Sequence, residues 1–377
     1  MRSAIAAATR VLAMTRKETL HIFRDIRVVY MAFGMPLVLL LLFGYAVSFD
    51  LDRLPIAVVD RDRTTESRAY VSSLVANDAF AVVVEHTDSK AVESAFRRGE
   101  VKASVEIPAG FAKSLARNEV AQVQLLFDGS DGTTANIAVG YMAGITKERN
   151  IALASRVFDG FALPLELRTV MLFNPAMKSA LFVVPGLIAL VLAIMAVLLT
   201  ALTVAREWER GSMEQLFSTP VRPVEIVVGK LVPYLAIGLI QTLLVVSLGA
   251  ILFDVPVRGS LIVLFACASL FLAAMLGQGL LISVITKNQQ VATQVGIISS
   301  MLPTMLLSGF LFPVANMPVL LRYFAQILPS THFIAILRGI LLKGNELTDL
   351  WHHIAALAAF ATVMVVLSTA TFRRRIA

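Results

Sequence analysis

The chain has 377 residues, of which 57% are hydrophobic and 16% are charged. Soluble domains average roughly 45–50% apolar and roughly 25% charged residues, so this composition excludes an ordinary soluble protein and indicates an integral membrane protein. The net charge of +7 raises the question of nucleic-acid binding, which the placement of the charges answers below. The single cysteine, Cys267, lies in an apolar run, which excludes a disulfide framework and favours a packing role.

Apolar runs of about 20 residues, the length that crosses the hydrocarbon core of a bilayer, occur six times. They cover 28–48, 179–203, 231–253, 260–285, 291–315 and 352–372. Lys, Arg, Asp and Glu are absent from the centres of all six runs. Because coupling-ion and proton pathways need ionisable groups inside the membrane, an ion-coupled transporter is disfavoured. We expect an α-helical membrane protein with six transmembrane helices.

The basic residues predict the orientation of the chain. The N-terminal arm, the 204–230 loop, the 286–290 loop and the C-terminus together hold 14 Lys and Arg against 6 Asp and Glu. The remaining segments hold 19 basic and 20 acidic residues. By the positive-inside rule both termini are therefore expected in the cytoplasm. The excess positive charge is a topology signal, so nucleic acid is not an expected partner.

The one large polar insert, residues 49–178, follows the first run and is expected outside the cytoplasm. Strand-like stretches such as LPIAVVDRD and FAVVVE alternate with helical stretches, and a long helix is predicted over about 133–158. This alternation predicts an α/β extracytoplasmic domain. The stretch from Asp128 to Gly132 resembles a calcium loop, but it lacks the spaced acidic ligands of one, which favours a turn and helix start.

Catalytic and nucleotide-binding motifs are missing from the sequence. There is no HExxH, no GxSxG and no cluster of His and Cys ligands, so we expect no catalytic residue and no metal site. The pair Gly229-Lys230 lacks the upstream glycine of a P-loop. We therefore expect no cofactor on this chain; if transport is ATP-driven, ATP and Mg²⁺ belong to a separate subunit.

The stretch AREWERGSMEQLFSTPVRP, residues 205–223, lies between the second and third runs and carries six charges. The spacing of Glu207, Arg210 and Glu214 places them on one face of a helix, beside an apolar patch that includes Leu216 and Phe217. Gly211 interrupts this helix, and Pro220 stops it. A short amphipathic helix is one interpretation; a solvated loop held by local ion pairs is the other.

The segment REWERGSMEQLFSTPVRPVEIVVGKLVPY (206–234) resembles the signature segment of permease subunits of ABC-2-type exporters. The resemblance extends to RKETLHIFRDIRVVYMAFGMPLVLLLLFGYAV (16–47), LPIAVVDRD (54–62), LLSGFLFPVANMP (306–318) and LPSTHFIAILRGILLKG (328–344). The order of these segments is similar to that in the subfamily with a large domain after the first helix, which includes bacterial multidrug-efflux permeases. The resemblance implies a multi-pass protein of the bacterial cytoplasmic (inner) membrane.

The same resemblance divides the chain into four parts and implies a function. Residues 1–27 would be a connecting helix, which could equally anchor the chain to anionic lipid, 28–48 the first transmembrane helix, 49–178 the outer domain, and 179–377 the remaining helices. The 206–220 segment would be a coupling helix that docks on an ABC ATP-binding subunit. The docking residues implied are Arg206, Glu207, Glu209, Arg210, Gly211, Glu214, Gln215, Leu216, Phe217 and Pro220.

A second permease copy, identical or paralogous, is implied as a partner, because six helices do not enclose a large path. The resemblance places the path along the second and fifth runs, where Met, Phe and hydroxyl side chains suit an amphipathic or drug-like substrate. The candidate path residues are Met195, Met301, Thr304, Met305, Ser308 and Phe310, for which helix packing is the competing interpretation. A periplasmic adaptor protein is a further possible partner of the outer domain.

Two other classes of function stay open at this stage. A membrane receptor or secretion-accessory protein would use the outer domain to bind a partner without transport and would need no ATPase. A membrane-embedded enzyme would need polar catalytic groups inside the membrane. The centres of the runs contain Gln241 and Gln278 but neither His nor carboxylate, since His352 and His353 stand at the very start of the sixth run, and this disfavours the enzyme.

Overall fold

The computed structural model describes residues 2–46, 53–76, 79–85, 89–117, 119–128, 132–157, 173–174, 178–213 and 221–374. The chain forms two compact units, one of residues 1–48 with 171–377 and the other of residues 49–170. In the described residues, the first unit is helical, and the second combines four strands with four helices.

The 49–170 unit contains the strands β1 (Leu54–Asp60), β2 (Phe80–Glu85), β3 (Ala103–Ile107) and β4 (Gln124–Phe127) in the order β2-β1-β3-β4. β1 is parallel to β2 and β3, and β4 is antiparallel to β3. The helices between and after them are α4 (Thr65–Val75), α5 (Ser89–Arg98), α6 (Phe111–Ala116) and α7 (Gly132–Val157). Strands and helices thus alternate along this unit, and its location outside the cytoplasm stays a prediction. Residues 129–131 of the Asp128–Gly132 turn lie outside the described part.

Both faces of the central strand β1 are buried, as expected for a parallel strand between helices. Ile56 and Val58 of β1 pack with Tyr70, Leu74 and Met142, while Ala57 and Val59 face Val92 and Ala95 of α5 on the other side. Alternation along one strand thus builds two small cores.

Asp62, just after β1, connects this strand to α6. It accepts hydrogen bonds from the Thr64 hydroxyl at 2.7 Å, Gly110 N–H at 2.8 Å and Ala112 N–H at 3.0 Å. The hydrogen bond from Thr64, followed by those from the backbone N–H groups, lowers the pKa of Asp62 below its ordinary value. The carboxylate form is therefore the one that this turn stabilises.

The helical unit begins with α1 (Arg2–Arg24) and α2 (Ile26–Val29), a π-helical turn (Tyr30–Gly34) and α3 (Met35–Ala46). It continues with α8 (Ser179–Glu209), α9 (Pro223–Phe253), α10 (Leu261–Thr286), α11 (Gln289–Leu306), α12 (Val319–Ile327), α13 (Pro329–Arg338) and α14 (Trp351–Arg374). A π-helical turn, Gly339–Lys343, extends α13.

Four of the described helices are long and apolar enough to cross a membrane: Ser179–Glu209, Pro223–Phe253, Leu261–Thr286 and Trp351–Phe372. The pair Val319–Ile327 and Pro329–Lys343, bent by 80°, would make a fifth. The apolar stretch Tyr30–Tyr45 is shorter. The protein is therefore an integral membrane protein with four or five span candidates, and the count of six stays a prediction.

The predicted fifth run, 291–315, does not form one helix. α11 ends at Leu306, and Gly309 adopts φ +82, a left-handed conformation that glycine tolerates best. The chain then turns into α12 and α13. The Arg338 guanidinium of α13 fixes this turn, because it donates to the carbonyls of Gly309 at 3.1 Å and Phe310 at 3.4 Å.

α8 is the central helix of this unit, because every residue from Val183 to Ala201 is buried. A helix that is apolar on every side is expected in the interior. It packs closely on α10, where a Cβ at Gly279 would lie 2.4 Å from the Val197 carbonyl oxygen. Ser283 of α10 accepts a hydrogen bond from Ala205 N–H at 2.8 Å, which joins the two helices near the end of α8.

Candidate functional site

The candidate site lies where α8 ends, which we term the α8 base: residues 206–213 and the side chains that contact them. The prediction that 206–220 forms a separate helix is wrong for residues 206–210. Arg206, Glu207 and Glu209 form the last turn of α8 itself, and Arg210 is its C-cap. Gly211 ends the helix with φ +69. The predicted docking residues Glu214, Gln215, Leu216, Phe217 and Pro220 lie outside the described residues.

A buried ion cluster joins α8 to α1 and α9. Lys230 of α9 lies 2.8 Å from the Glu18 carboxylate of α1 and 2.9 Å from the Glu207 carboxylate of α8. Its side chain is 1% exposed, and that of Glu18 is 4% exposed. Lys17 contacts the other oxygen of Glu207 at 2.8 Å. Two carboxylates and two ammonium groups thus compensate one another in a place where a single charge would be very unfavourable.

Two further contacts hold the last turn of α8. Arg206 donates to the Asp25 carboxylate at 2.9 Å, at the junction between α1 and α2. Glu209 accepts a hydrogen bond from the backbone N–H of Gln289 at 2.7 Å and another from its side-chain amide. Glu209 therefore caps the N-terminus of α11, where a negative charge is favoured. The end of α8 is consequently connected to α1, α9 and α11.

α1 lies very close to α9 because the contact residue of α9 is a glycine. A Cβ at Gly229 would lie 2.6 Å from the Met14 Cβ. Nearby, Arg10 donates two hydrogen bonds to Glu225, at 2.7 and 2.6 Å. This bidentate geometry makes it one of the stronger types of ion pair. α1 is thus held firmly against the start of α9.

An apolar cluster underlies these charges. Met213 is fully buried and packs with Met14 of α1 and Phe372 of α14, among other side chains. Trp208 packs against the same cluster, and the Lys287 ammonium group lies 4.0 Å from the centre of its ring. Trp208 therefore packs against side chains of this chain.

A cavity of about 260 Å³ opens beside the α8 base. Its lining combines the basic side chains of Lys17, Arg206 and Arg210 with apolar ones such as Met31 and Leu199. Among the described residues no group of three or more His, Cys, Asp or Glu could hold a metal ion. The base contains ion pairs and packing contacts, an arrangement suited to transmitting force between helices.

The docking residues predicted from the sequence fall into two groups, those that contact other parts of this chain and those that are exposed. Arg206, Glu207 and Glu209 make the contacts within the chain described above. Arg210 and Gly211 are exposed, and no side-chain partner of Arg210 occurs among the described residues. Arg210 is therefore exposed and free of side-chain contacts within the described part of the chain, whereas the exposed Glu209 is engaged by Gln289.

The predicted path residues lie in packed positions. Met195, Thr304, Ser308 and Phe310 are at most 3% exposed, and Met301 and Met305 are partly buried against the same core. The Phe310 ring occupies the space beside Gly186 of α8, where a Cβ would lie 2.1 Å from it. The Thr304 hydroxyl forms a 2.6 Å hydrogen bond with Ser330 of α13. A path along these residues stays a prediction and would require α8 and α11 to separate.

Sequence reasoning missed most of the ion pairs. Lys230 was considered only as part of a failed P-loop, and Glu18, Glu225, Arg10 and Asp25 were counted only as topology charges. One feature of the sequence could have indicated these ion pairs. Acidic residues occur within the mainly basic segments that border apolar helices, where a carboxylate needs a basic partner.

Comparison with known proteins identifies the family. The family model described as "ABC-2 family transporter protein" matches residues 27–370. The chain is 34% identical, over the full length of both chains, to the "Probable multidrug ABC transporter permease YbhS" of Escherichia coli (strain K12). It is 29% identical to the "Probable multidrug ABC transporter permease YbhR" of the same organism, covering 97% of this chain and 99% of that one. It is 24% identical to the "Linearmycin resistance permease protein LnrN" of Bacillus subtilis (strain 168), covering 94% and 97%. The chain therefore belongs to the ABC-2 family of transporter permeases.

Proposed function

We propose that this chain is the transmembrane permease subunit of an ATP-driven exporter that moves an amphipathic or drug-like substrate out across the cytoplasmic membrane. A separate ABC subunit hydrolyses ATP and docks at the 206–220 segment. The single observation that carries the proposal is the α8 base, where the end of a central helix is tied to three other helices and exposes Arg210, which has no side-chain partner among the residues that the structure describes.

Membership of the family indicates the membrane and the partner subunits with which this mechanism operates. The chain is a multi-pass protein of the cytoplasmic membrane, and its relatives are transport permeases, which is a non-catalytic role. An ABC-2 permease works with an ABC ATP-binding subunit and with another permease. ATP and Mg²⁺ therefore belong to the partner subunit in this proposal.

Force applied at the 206–220 segment would move α8 together with its neighbours. The pairs Arg206 to Asp25 and Glu209 to Gln289, with the buried ion cluster, make a rigid base. Because packed interiors shift between discrete arrangements, a small displacement of the base would tilt whole helices. In the exporter, closure of two ATPase subunits pushes on two such bases and opens a path between the two permeases along α8 and α11.

The orientation belongs to the proposal as well. The excess of basic residues in alternate segments supports cytoplasmic termini, six spans and an outward 49–178 domain. This orientation places the α8 base in the cytoplasm, where an ATPase is available. The outer domain, whose 49–170 part has its own cores, is then available to a periplasmic adaptor protein.

The substrate class rests on the relatives and on the path residues. Two relatives have names that refer to multidrug transport, and one has a name that refers to linearmycin resistance. The methionines at positions 195, 301 and 305 can adapt to ligands of varied shape. Both observations support an amphipathic substrate and leave its identity open.

A photo-crosslinking experiment tests the docking step. Arg210 is replaced by p-benzoylphenylalanine in the full chain, which is irradiated in its native membrane, and the attached protein is identified by mass spectrometry. The control carries the same group at Arg117, an exposed residue of the 49–170 unit. We expect capture of a Walker-motif protein from position 210 and not from position 117.

The opposite result would favour another function. If position 210 captures no ATPase while position 117 captures a protein, the chain acts as a receptor or accessory protein that binds through its outer domain. If neither position captures an ATPase from membranes where the folded chain is abundant, the proposed docking site is wrong.

A further inference from the structure

A second feature lies away from the α8 base, in the transmembrane part of the helical unit. α10, α11 and α14 enclose a groove of about 350 Å³, which the start of α13 closes at one end. Its lining is mainly apolar and includes Met275, Ile282, Val295, Phe360 and Met364. We term it the α10–α14 groove. Val295 is 40% exposed and Ile285 is 53% exposed, so the groove is open along its side.

The groove contains one amide side chain, that of Gln278. This residue lies eight positions before the end of α10 at Thr286, which corresponds to about 12 Å along the helix. α10 is among the helices long and apolar enough to span a membrane. Gln278 is therefore expected within the hydrocarbon layer and not at its polar boundary. It is half-buried, in contrast to its fully buried neighbours.

The hydrogen bonds of Gln278 fix the orientation of its amide. Nε2 donates to the Ser299 hydroxyl at 3.2 Å and to the Ser299 carbonyl oxygen at 3.4 Å. Because a carbonyl oxygen only accepts, the atom facing it must be the NH₂ group. This leaves the carbonyl oxygen, Oε1, which accepts no hydrogen bond from any residue that the structure describes.

An acceptor without a donor is unfavourable in hydrocarbon, where no water replaces the missing bond. The occupant of the groove must therefore be mainly apolar and must carry a hydrogen-bond donor at this depth. Phospholipids do not meet this condition, because their ester oxygens are acceptors and their donor groups stay at the interface. The volume suits a small molecule, since ligand pockets begin at about 300 Å³.

We propose that the α10–α14 groove binds a membrane-dissolved amphiphile, whose apolar body fills the groove and whose hydroxyl or N–H group donates to Gln278 Oε1. The site lies within one chain, and its wall includes Thr304, one of the candidate path residues. It requires no ATPase, so it does not depend on the proposed function.

The test uses two photoreactive probes that differ only in whether they carry a hydrogen-bond donor. The first is a long-chain alcohol with a diazirine in its chain, and the second is the methyl ether of that alcohol, which has no donor. The full-length protein is placed in phosphatidylcholine nanodiscs and labelled over a range of probe concentrations. Mass spectrometry then measures saturable labelling of peptides from α10, α11 and α14.

We expect the alcohol to bind with about five- to tenfold higher affinity than the ether, the effect of one hydrogen bond to an otherwise unpaired group. Gln278→Leu is expected to remove this difference. Gln294→Leu is the matched control, because Gln294 is exposed on α11 and does not line the groove. Val295→Trp, which fills the groove and keeps Gln278, is expected to abolish saturable labelling by both probes.

Three results would overturn the proposal. Equal affinity of the alcohol and the ether for the unaltered protein would show that Gln278 selects no donor, even if Gln278→Leu fails to fold. Labelling that does not saturate would indicate general partition into lipid. A crosslink between cysteines placed in the grooves of two chains would show that a second copy fills this space.

Discussion

Replacement of Lys230 by methionine is the most informative perturbation of the α8 base. The substitution removes the ammonium group that lies between Glu18 and Glu207 and keeps a side chain of similar length. Glu207 retains Lys17 at 2.8 Å, but the nearest remaining cation to Glu18 is Lys17 at 3.9 Å. Glu18, which is 4% exposed, therefore becomes the uncompensated buried charge.

The expected magnitude follows from this geometry. Removal of one partner from a buried ion pair costs about 3–5 kcal/mol, whereas an exposed pair contributes about 0–1 kcal/mol. We therefore expect Lys230→Met to lower the free energy of unfolding by about 3 kcal/mol or more. Adding Glu18→Gln removes the stranded charge, so the double variant should recover about half of this loss or more.

The assay is unfolding by SDS in mixed micelles, followed by tryptophan fluorescence. The chain has two tryptophans, and Trp351→Phe leaves Trp208, which adjoins Glu207, as the probe of the α8 base. The matched control is Lys178→Met, because Lys178 forms a 3.4 Å pair with Asp254 in the same helical unit but is 52% exposed. A loss below about 1 kcal/mol in Lys230→Met, equal to that in the control, would refute the buried ion cluster.

Three further predictions concern backbone contacts and pH. Gly229→Ala places a Cβ 2.6 Å from a side-chain carbon of α1, so we expect about 1–3 kcal/mol of destabilisation in the same SDS titration. Gly296→Ala in the same unit, where the Cβ comes no closer than 3.3 Å to its nearest neighbour, should cost less. Gly211→Val should impair ATPase association in a pull-down more than Gly211→Asn, because φ +69 suits Asn better than a β-branched residue; equal loss in both would contradict this reasoning. The pKa of Asp62 is lowered in the folded state, so its contribution to stability is present above the unfolded pKa of 3.8 and is lost as pH falls through the lower folded value. Limited proteolysis of the 49–170 unit should therefore accelerate on acidification below about pH 4, and Asp62→Asn should weaken this pH dependence.

The sequence predicted the secondary structure well where the pattern is local. β1 and β2 alternate or run apolar over five to seven residues, and α8 is apolar throughout, so periodicity and length identify them. The 291–315 run was counted as one membrane span, and its helix ends at Leu306, ahead of the left-handed Gly309. The sequence does not reveal that Arg338, 29 residues after Gly309, holds the turn there through backbone carbonyls.

The sequence located the candidate site but did not show which of its charged residues pair with one another. The motif at 206–220 identified the region, whereas the pairing of Glu207 with Lys230 depends on contacts between helices far apart in the chain. A charged residue looks the same in sequence whether it serves a partner protein or its own helix bundle. Burial distinguishes Glu207 from Arg210, and burial follows from the tertiary packing of α1.

The central claim is that an ATPase acts on this chain through the α8 base. The most direct measurement is the ATP hydrolysis that co-purifies with the full-length chain from its native membrane, compared between the unaltered protein, Arg210→Glu and the charge-conserving Arg210→Lys. The account predicts an associated Walker-motif subunit and ATP hydrolysis with the unaltered protein and with Arg210→Lys, and loss of both with Arg210→Glu at an unchanged level of folded permease. Equal ATP hydrolysis with all three proteins, or no associated ATPase with any of them, would contradict it.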